Sequence, residues 1–272
     1  MKYALENSKE FARLEKQSRT SAYDVSTELN SILSFHPRRV LDAGCGSGIV
    51  SRFLAGHYPG AAVTGCDFSS ERIEQAKKAA NDYSNLEFSV EDLKNLSFKK
   101  EEFDLIVCRY VMQHQDTDSL CAILSGIYRT LAFKGTLCAV DIDGGFHNLH
   151  PMPALVAETL DLLDRSKRVD LRVGRKLPSL MVEAGFTHVT CEIQTLLFEP
   201  NTPAMQEESG LIEERLSGAI ELFSQLLGSK SRAIQFRDEY LEALEKEGTI
   251  LFFNKFIVLG SKPRSKQLVQ VK

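Results

Sequence analysis

The stretch Val40-Leu41-Asp42-Ala43-Gly44-Cys45-Gly46-Ser47-Gly48 limits what this chain can fold into more than any other segment. An apolar run beginning near Arg38 reads as a buried strand, the glycines permit a sharp turn, and Ile49 to Leu54 has the pattern of a helix start. Glycine has no Cβ, so a ligand can approach the main-chain amides of such a turn closely. The positive end of the following helix favours an anionic or carboxylate-bearing group there. The same residues also suit an ordinary strand-to-helix turn, so the rest of the chain has to discriminate. Ala62-Val63-Thr64-Gly65-Cys66 reads as a second strand ending at Asp67, about 20 positions beyond Gly48. Doubly wound folds place a ribose-binding acid at that spacing. Asp67 could instead cap the next helix, but Ser69 and Ser70 are available for that.

Further strands follow at Leu86–Val90, Phe103–Cys108 and Thr136–Asp141, separated by the helical patterns Ser70–Tyr83 and Leu120–Leu131. The unbroken apolar run of Phe103–Cys108 suits a central parallel strand covered on both faces. Asp104, at its beginning, is expected to be structural, because ligands of open α/β sheets bind outside the carboxyl ends of strands. Apolar residues at helical intervals from Ser8 to Phe35 predict one or two helices against the core. Met152–Arg165 and Leu177–Glu183 read as helices, Val189–Phe198 as a strand, Thr202–Glu247 as two helical segments, and Thr249–Leu259 as the last strand. The basic tail from Lys262 is expected to be mobile.

Three sets of residues bring a family into view. Asp42, Gly44, Gly46 and Gly48 resemble the first motif of the class I S-adenosylmethionine-dependent methyltransferases, Asp67-Phe68-Ser69 the second, and Arg109-Tyr110-Val111-Met112-Gln113-His114-Gln115-Asp116 the fourth. Leu131 to Leu137 is similar to the family's Leu-x-Pro-Gly-Gly-x-Leu signature, with Phe133 in place of proline and Lys134 in place of the first glycine. The dinucleotide fingerprint of dehydrogenases wants glycine at position 49, which is isoleucine. Nucleic-acid amino-methyltransferases carry a Pro-Pro pair after the fourth strand, and Arg109–Met112 has no proline.

The resemblance implies an α/β, doubly wound, Rossmann-like sheet of seven strands, mostly parallel with an antiparallel last strand, plus a helical cap. It divides the chain into N-terminal cap helices at 1–36, an S-adenosylmethionine-binding core at 37–201, a cap insertion at 202–247, and the last strand and tail at 248–272. It implies cofactor contacts from Asp42, Gly44, Cys45, Gly46, Gly48, Asp67, Phe68, Glu91, Asp92, Leu93 and Arg109, with Asp92 favoured over Glu91 for the adenine amino group. Gln17, Tyr23, Tyr110 and His147 are candidate substrate contacts. His114 is a candidate general base, since an imidazole near its ordinary pKa of about 6.5 suits a hydroxyl acceptor; its alternative role is to stabilise the loop. Methyl transfer to an O, N or C atom of a small, partly apolar molecule is the expected reaction. A non-catalytic binder, or an enzyme using the fold for another reaction, is the competing expectation.

Composition excludes several other classes. A net charge of -4 and a pI near 5.9 argue against nucleic acid as the main partner. No run approaches the roughly 20 apolar residues of a membrane helix, and the opening Met1–Asn7 lacks the apolar core of a secretion signal. The six cysteines include no Cys-x-x-Cys pair, which suits a reducing, cytoplasmic setting. Asp141, Asp143, His147 and His150 have no compelling metal-ligand spacing, so no metal is expected and His147 reads as a polar substrate rim. A monomer or homodimer is the expected assembly.

Overall fold

The computed structural model describes residues 10–264. In chain order the helices and strands are α1 (Glu10–Gln17), α2 (Val25–Glu28), β1 (Arg39–Ala43), α3 (Ile49–His57), β2 (Ala62–Asp67), α4 (Ser70–Ala79), β3 (Leu86–Val90), β4 (Phe103–Arg109), α5 (Thr117–Thr130), β5 (Leu131–Asp143), β6 (Leu149–His150), α6 (Ala154–Ser166), α7 (Leu177–Glu183), β7 (Thr187–Phe198), α8 (Pro203–Gly218), α9 (Ile220–Leu227), α10 (Lys230–Glu245) and β8 (Ile250–Ser261).

Strands β3, β2, β1, β4 and β5 lie side by side in that order and run parallel. β8 joins β5 antiparallel, and β7 pairs with β8 along Thr187–Phe198. The sheet has eight strands where the sequence predicts seven. The addition is β6, whose two residues pair with β8 at Leu251 and Ile250, beyond the point where β5 ends; so short a bridge leaves no period-2 pattern to read.

Alternation along the central strands feeds two cores. Leu41, Ile106, Cys108, Leu137 and Ala139 meet α5 through Leu120, Ile123, Leu124 and Ile127. Val40, Leu105, Val107, Cys138 and Val140 meet Val50 and Leu54 of α3 together with Leu29 and Ile32. Asp104 has the structural place expected of it: Oδ2 accepts hydrogen bonds from the amides of Arg38 and Arg39, both at 2.9 Å, tying the start of β4 to that of β1.

Helix ends follow side-chain capping. Ser69 caps α4, Asp116 caps α5, Thr202 caps α8 and Ser229 caps α10, each oxygen accepting an amide of the first turn. The segment 202–247 forms three helices rather than two, because the chain leaves helical geometry at Ala219 before α9 begins. These helices share a third core with Tyr23, Phe198, Leu251 and Phe253, in which Phe236 and Tyr240 are wholly buried. α6, placed by sequence in the core segment, contributes Val156, Leu160 and Leu163 to this same cluster.

The N-terminal segment is broken after α1. Asp24 accepts the Ser26 amide at 3.0 Å and starts the single turn of α2, so the one or two helices expected between Ser8 and Phe35 are the short α1 and α2; Ser8 itself lies outside the described residues. Lys262 corrects the tail reading. It is buried and donates to the Leu131 carbonyl at 2.8 Å, while 265–272 lie outside the described residues.

Candidate functional site

The strand order reverses between β1 and β4, so the crevice at their carboxyl ends is where an open α/β sheet binds ligands. The glycine turn forms one bank. Gly44, Gly46 and Gly48 have φ of 80°, 53° and 78°, a region that side-chain-bearing residues rarely adopt. Space forbids a side chain as well: a Cβ on Gly44 would strike Val111, and one on Gly48 would lie 2.9 Å from Phe88. The amides of Gly44 and Cys45 both donate to the Cys66 carbonyl at 2.8 Å, which pins the turn to the end of β2. Asp42 is buried beneath it and takes the Ser51 hydroxyl at 2.6 Å, bracing β1 against α3. Burial pushes its pKa up to about 6, against the pull of the Ser51 hydrogen bond.

Asp67 closes the far end of the turn. Its Oδ2 accepts the Gly46 amide and its Oδ1 the Ser69 amide, both at 3.0 Å. A carboxylate oxygen has more than one acceptor direction, so Asp67 keeps capacity for two hydroxyl donors. Phe68 beside it is 51% exposed, an aromatic face at the mouth of the sheet, with the Arg72 guanidinium 5.8 Å from its centroid. Leu93 is buried close behind the next strand end. Glu91 and Asp92 differ in commitment. Glu91 takes both the amide and the hydroxyl of Ser97, at 2.9 and 2.5 Å, whereas the more exposed Asp92 takes the Lys94 amide at 3.0 Å.

The opposite bank is the end of β4. Arg109 donates through Nε to Glu28 and through Nη2 to the Tyr23 carbonyl at 3.0 Å, and lies 4.4 Å over the Tyr110 ring. Tyr110, at φ 57°, donates its hydroxyl to Glu28 at 2.6 Å, and Lys255 of β8 donates to the same oxygen at 2.8 Å. Arg109 therefore holds a carboxylate of this chain. Burial would raise the Glu28 pKa, but the charges of Arg109 and Lys255 outweigh it and hold the carboxyl below its ordinary value. Tyr23 continues the polar chain: its hydroxyl accepts from Arg215 at 2.9 Å and donates to Glu208 at 3.1 Å, joining the N-terminal segment to α8.

α1 lies over the glycine turn. Leu14 would sit 3.4 Å from a Cβ on Gly46, and Arg52 donates to the Ser47 carbonyl at 2.9 Å and to Glu15 at 2.6 Å. Gln17 accepts from Arg13 at 2.8 Å. His114 has its pKa pushed down to about 3, by burial first and then by the charges of Arg13 and Arg72, so its imidazole is neutral across the physiological range. Its loop is held by Asp141, whose carboxylate takes the Gln113 amide at 3.1 Å and the Ile142 amide at 2.9 Å. Burial raises the Asp141 pKa to about 7, the amide hydrogen bonds opposing it. His147 lies apart from the glycine turn in its bonding, with Nδ1 3.0 Å from the Gly145 carbonyl and Nε2 3.2 Å from Asp164. Asp143 is taken by Arg175. Among the described residues no group of three or more His, Cys, Asp or Glu is placed to hold a metal ion.

The sequence reading missed Glu28, Lys255 and Glu208 as parts of this arrangement. Their signal was a charge on an apolar face. Glu28 follows Val25 by three positions, Lys255 is in phase with Leu251, Phe253 and Ile257, and Glu208 falls in the stripe Met205, Leu211, Ile212; all are buried.

Residues 40–135, from β1 into β5, match the family model described as a methyltransferase domain. The chain is 30% identical over 156 residues to a malonyl-[acyl-carrier protein] O-methyltransferase of Herminiimonas arsenicoxydans, covering 57% of this chain and 55% of that protein. It is 38% identical over 78 residues to a ubiquinone biosynthesis O-methyltransferase of Coxiella burnetii, covering 28% and 32%. The chain thus spans about half or less of the length of these curated relatives. In structure it is similar to phosphoethanolamine N-methyltransferase 2 of Haemonchus contortus, with a TM-score of 0.60 and 17% identity over 96% of this chain and 60% of that one, a likeness of fold. Motif, topology and family match agree over residues 40–135, where the chain is similar to a methyltransferase domain.

Proposed function

We propose that this chain transfers a methyl group from S-adenosylmethionine to an O, N or C atom of a small, partly apolar molecule. The observation that carries the reading is the Asp67 carboxylate bonded to the Gly46 amide beside a half-exposed Phe68, at the point where the strand order reverses. The residues present fit the cofactor. Asp67 retains acceptor capacity for two ribose hydroxyls, Phe68 and Leu93 offer apolar cover for an adenine ring, and Asp92 is the less committed acid for its amino group. Gly44, Gly46 and Gly48 put no side chain between a carboxylate-bearing end and the start of α3, while the amides of Gly44, Cys45, Gly46 and Gly48 are themselves taken by Cys66, Asp67 and Cys45 and fix the turn. Bound there, the cofactor supplies an electrophilic methyl group on a sulfonium.

The chain's own part is to hold the acceptor in line and to keep water out. Tyr23, Tyr110 and Gln17, from the N-terminal segment and the end of β4, form the acceptor side of this reading, with His147 at its rim. His114, neutral and weakly basic, acts as a wall of the loop that Asp141 fixes. Since both curated relatives are named O-methyltransferases, oxygen acceptors are the first class to try. The same reading takes the chain to act on small molecules rather than nucleic acid, in keeping with its acidic pI near 5.9, and to work as a monomer or homodimer in a reducing cytoplasm. Among the described residues no helix is long and apolar enough to cross a membrane.

Calorimetry with S-adenosylmethionine, S-adenosylhomocysteine and NAD, followed by transfer of a mass-labelled methyl group across a panel of phenols, carboxylic acids and amines, tests the proposal. Binding of the first two compounds with labelled product is expected. Binding of NAD alone, or cofactor binding with no methylated product from any acceptor class, would overturn it.

A further inference from the structure

α4 begins with a charge that its backbone disfavours. The first turn of a helix is its positive end and suits acids. Arg72 nevertheless occupies that turn, its amide 3.4 Å from the hydroxyl of the capping Ser69. Its side chain is only 12% exposed, so the cation is held within the fold rather than left in water. A residue kept against a local rule answers a demand from elsewhere in the molecule. Arg72 Nη1 lies 3.9 Å from Asp67 Oδ1, and its guanidinium is 5.8 Å from the centroid of the half-exposed Phe68 ring. Ile73, the next residue, shares a core cluster with Cys45 of the glycine turn, which sets this end of α4 against the crevice. The charge of Arg72 also acts on His114, in the loop beyond β4 on the opposite bank. The guanidinium therefore stands at the mouth of the crevice, beside the acid and the aromatic face that end β2.

We propose that Arg72 is a further cofactor-binding residue, whose planar guanidinium lies against the adenine ring and closes the slot that Asp67 and Phe68 begin. A planar cation suits the electron-rich face of a purine, and a neighbouring carboxylate balances its charge in a partly dry site. The 3.9 Å between Arg72 and Asp67 is too long for a direct hydrogen bond, which leaves the remaining lone pairs of the acid to the ribose hydroxyls. Arg72 has this role only if the crevice takes S-adenosylmethionine, as proposed above.

The probes are S-adenosylhomocysteine and 5′-methylthioadenosine, titrated by calorimetry into the full chain and into R72A and R72K, with circular dichroism as the check on folding. The wild type is expected to bind both compounds. R72A should weaken both by about fivefold or more and by the same factor, because the contact is with the adenosine that they share. R72K keeps the charge but loses the plane, so it should bind no better than about twofold tighter than R72A. Should R72A fail to fold, R72K alone carries the test, with the same loss of about fivefold expected. Given binding by the wild type, undiminished affinity in R72A, full rescue in R72K, or a loss confined to S-adenosylhomocysteine would overturn the assignment alone. A wild type that binds neither compound would overturn the proposed function, and the role of Arg72 with it.

Discussion

Glu28→Gln is the sharpest test of what holds the N-terminal segment over the sheet. Glu28 is wholly buried and is the shared acceptor for Arg109, for the Tyr110 hydroxyl at 2.6 Å and for Lys255 at 2.8 Å. Glutamine keeps the shape and can still accept the Tyr110 hydrogen bond. It supplies no charge, so Arg109 and the 2% exposed Lys255 are left buried against a neutral amide. Removing one partner of a buried ion pair costs on the order of 3–5 kcal/mol, and that loss is expected at pH 7. The chain has no tryptophan, so urea denaturation followed by circular dichroism is the suitable assay. Adding Lys255→Met to the glutamine variant should recover part of the loss by removing the orphaned ammonium. Because the folded Glu28 carboxyl is held below its ordinary value, its contribution is complete above the unfolded pKa and fades as the pH falls through the folded one; the gap between wild type and variant should narrow in acid. A loss below about 1 kcal/mol, or further destabilisation by Lys255→Met in the glutamine background, would refute the argument.

Asp67→Ala is expected to weaken S-adenosylhomocysteine binding by about 1–3 kcal/mol in calorimetry, through lost ribose hydrogen bonds; unchanged affinity in a folded variant would remove Asp67 from the cofactor site. With a pKa near 3, His114 should leave no inflection in the rate between pH 5 and 8, and His114→Ala should cost less than about tenfold in turnover, where loss of a working base costs about 100-fold or more. Asp141 has the opposite signature. Its folded carboxyl keeps its proton up to about pH 7, whereas the unfolded one releases it near 3.8, so the wild type should lose stability relative to Asp141→Asn as the pH rises through that window. The relative loss is bounded by about 4 kcal/mol at roughly 1.4 kcal/mol per pH unit, and parallel stability profiles from pH 4 to 8 would count against it.

The parallel half of the sheet was legible because its signals are local. Glycines at forced backbone angles, an acid at a strand end and the apolar run of β4 each declare themselves within a few residues. The cofactor bank is legible for the same reason, since Gly44, Gly46, Gly48 and Asp67 meet across one turn and one adjacent strand end. The acceptor bank was not. In sequence Arg109 reads as a cofactor contact, and only the fold brings it to Glu28, far away in the chain, with Lys255 arriving from the last strand. His114 shows the same limit from the other side: its residue type suits a base, but burial and the charges of Arg13 and Arg72 come from α1, α4 and the packing around them.

Strand β8 is clasped on one edge by β5 and β6 and on the other by β7, and it also carries Leu251 and Phe253 into the helical core. During synthesis every one of those partners emerges first and waits, with two unsatisfied sheet margins and a lidless apolar bowl, until the final strand slots between them. A ribosome-stalled chain ending before Thr249 should therefore stick to chaperones or to its own copies, and emergence of β8, Ile250–Ser261, should be the event that makes it soluble.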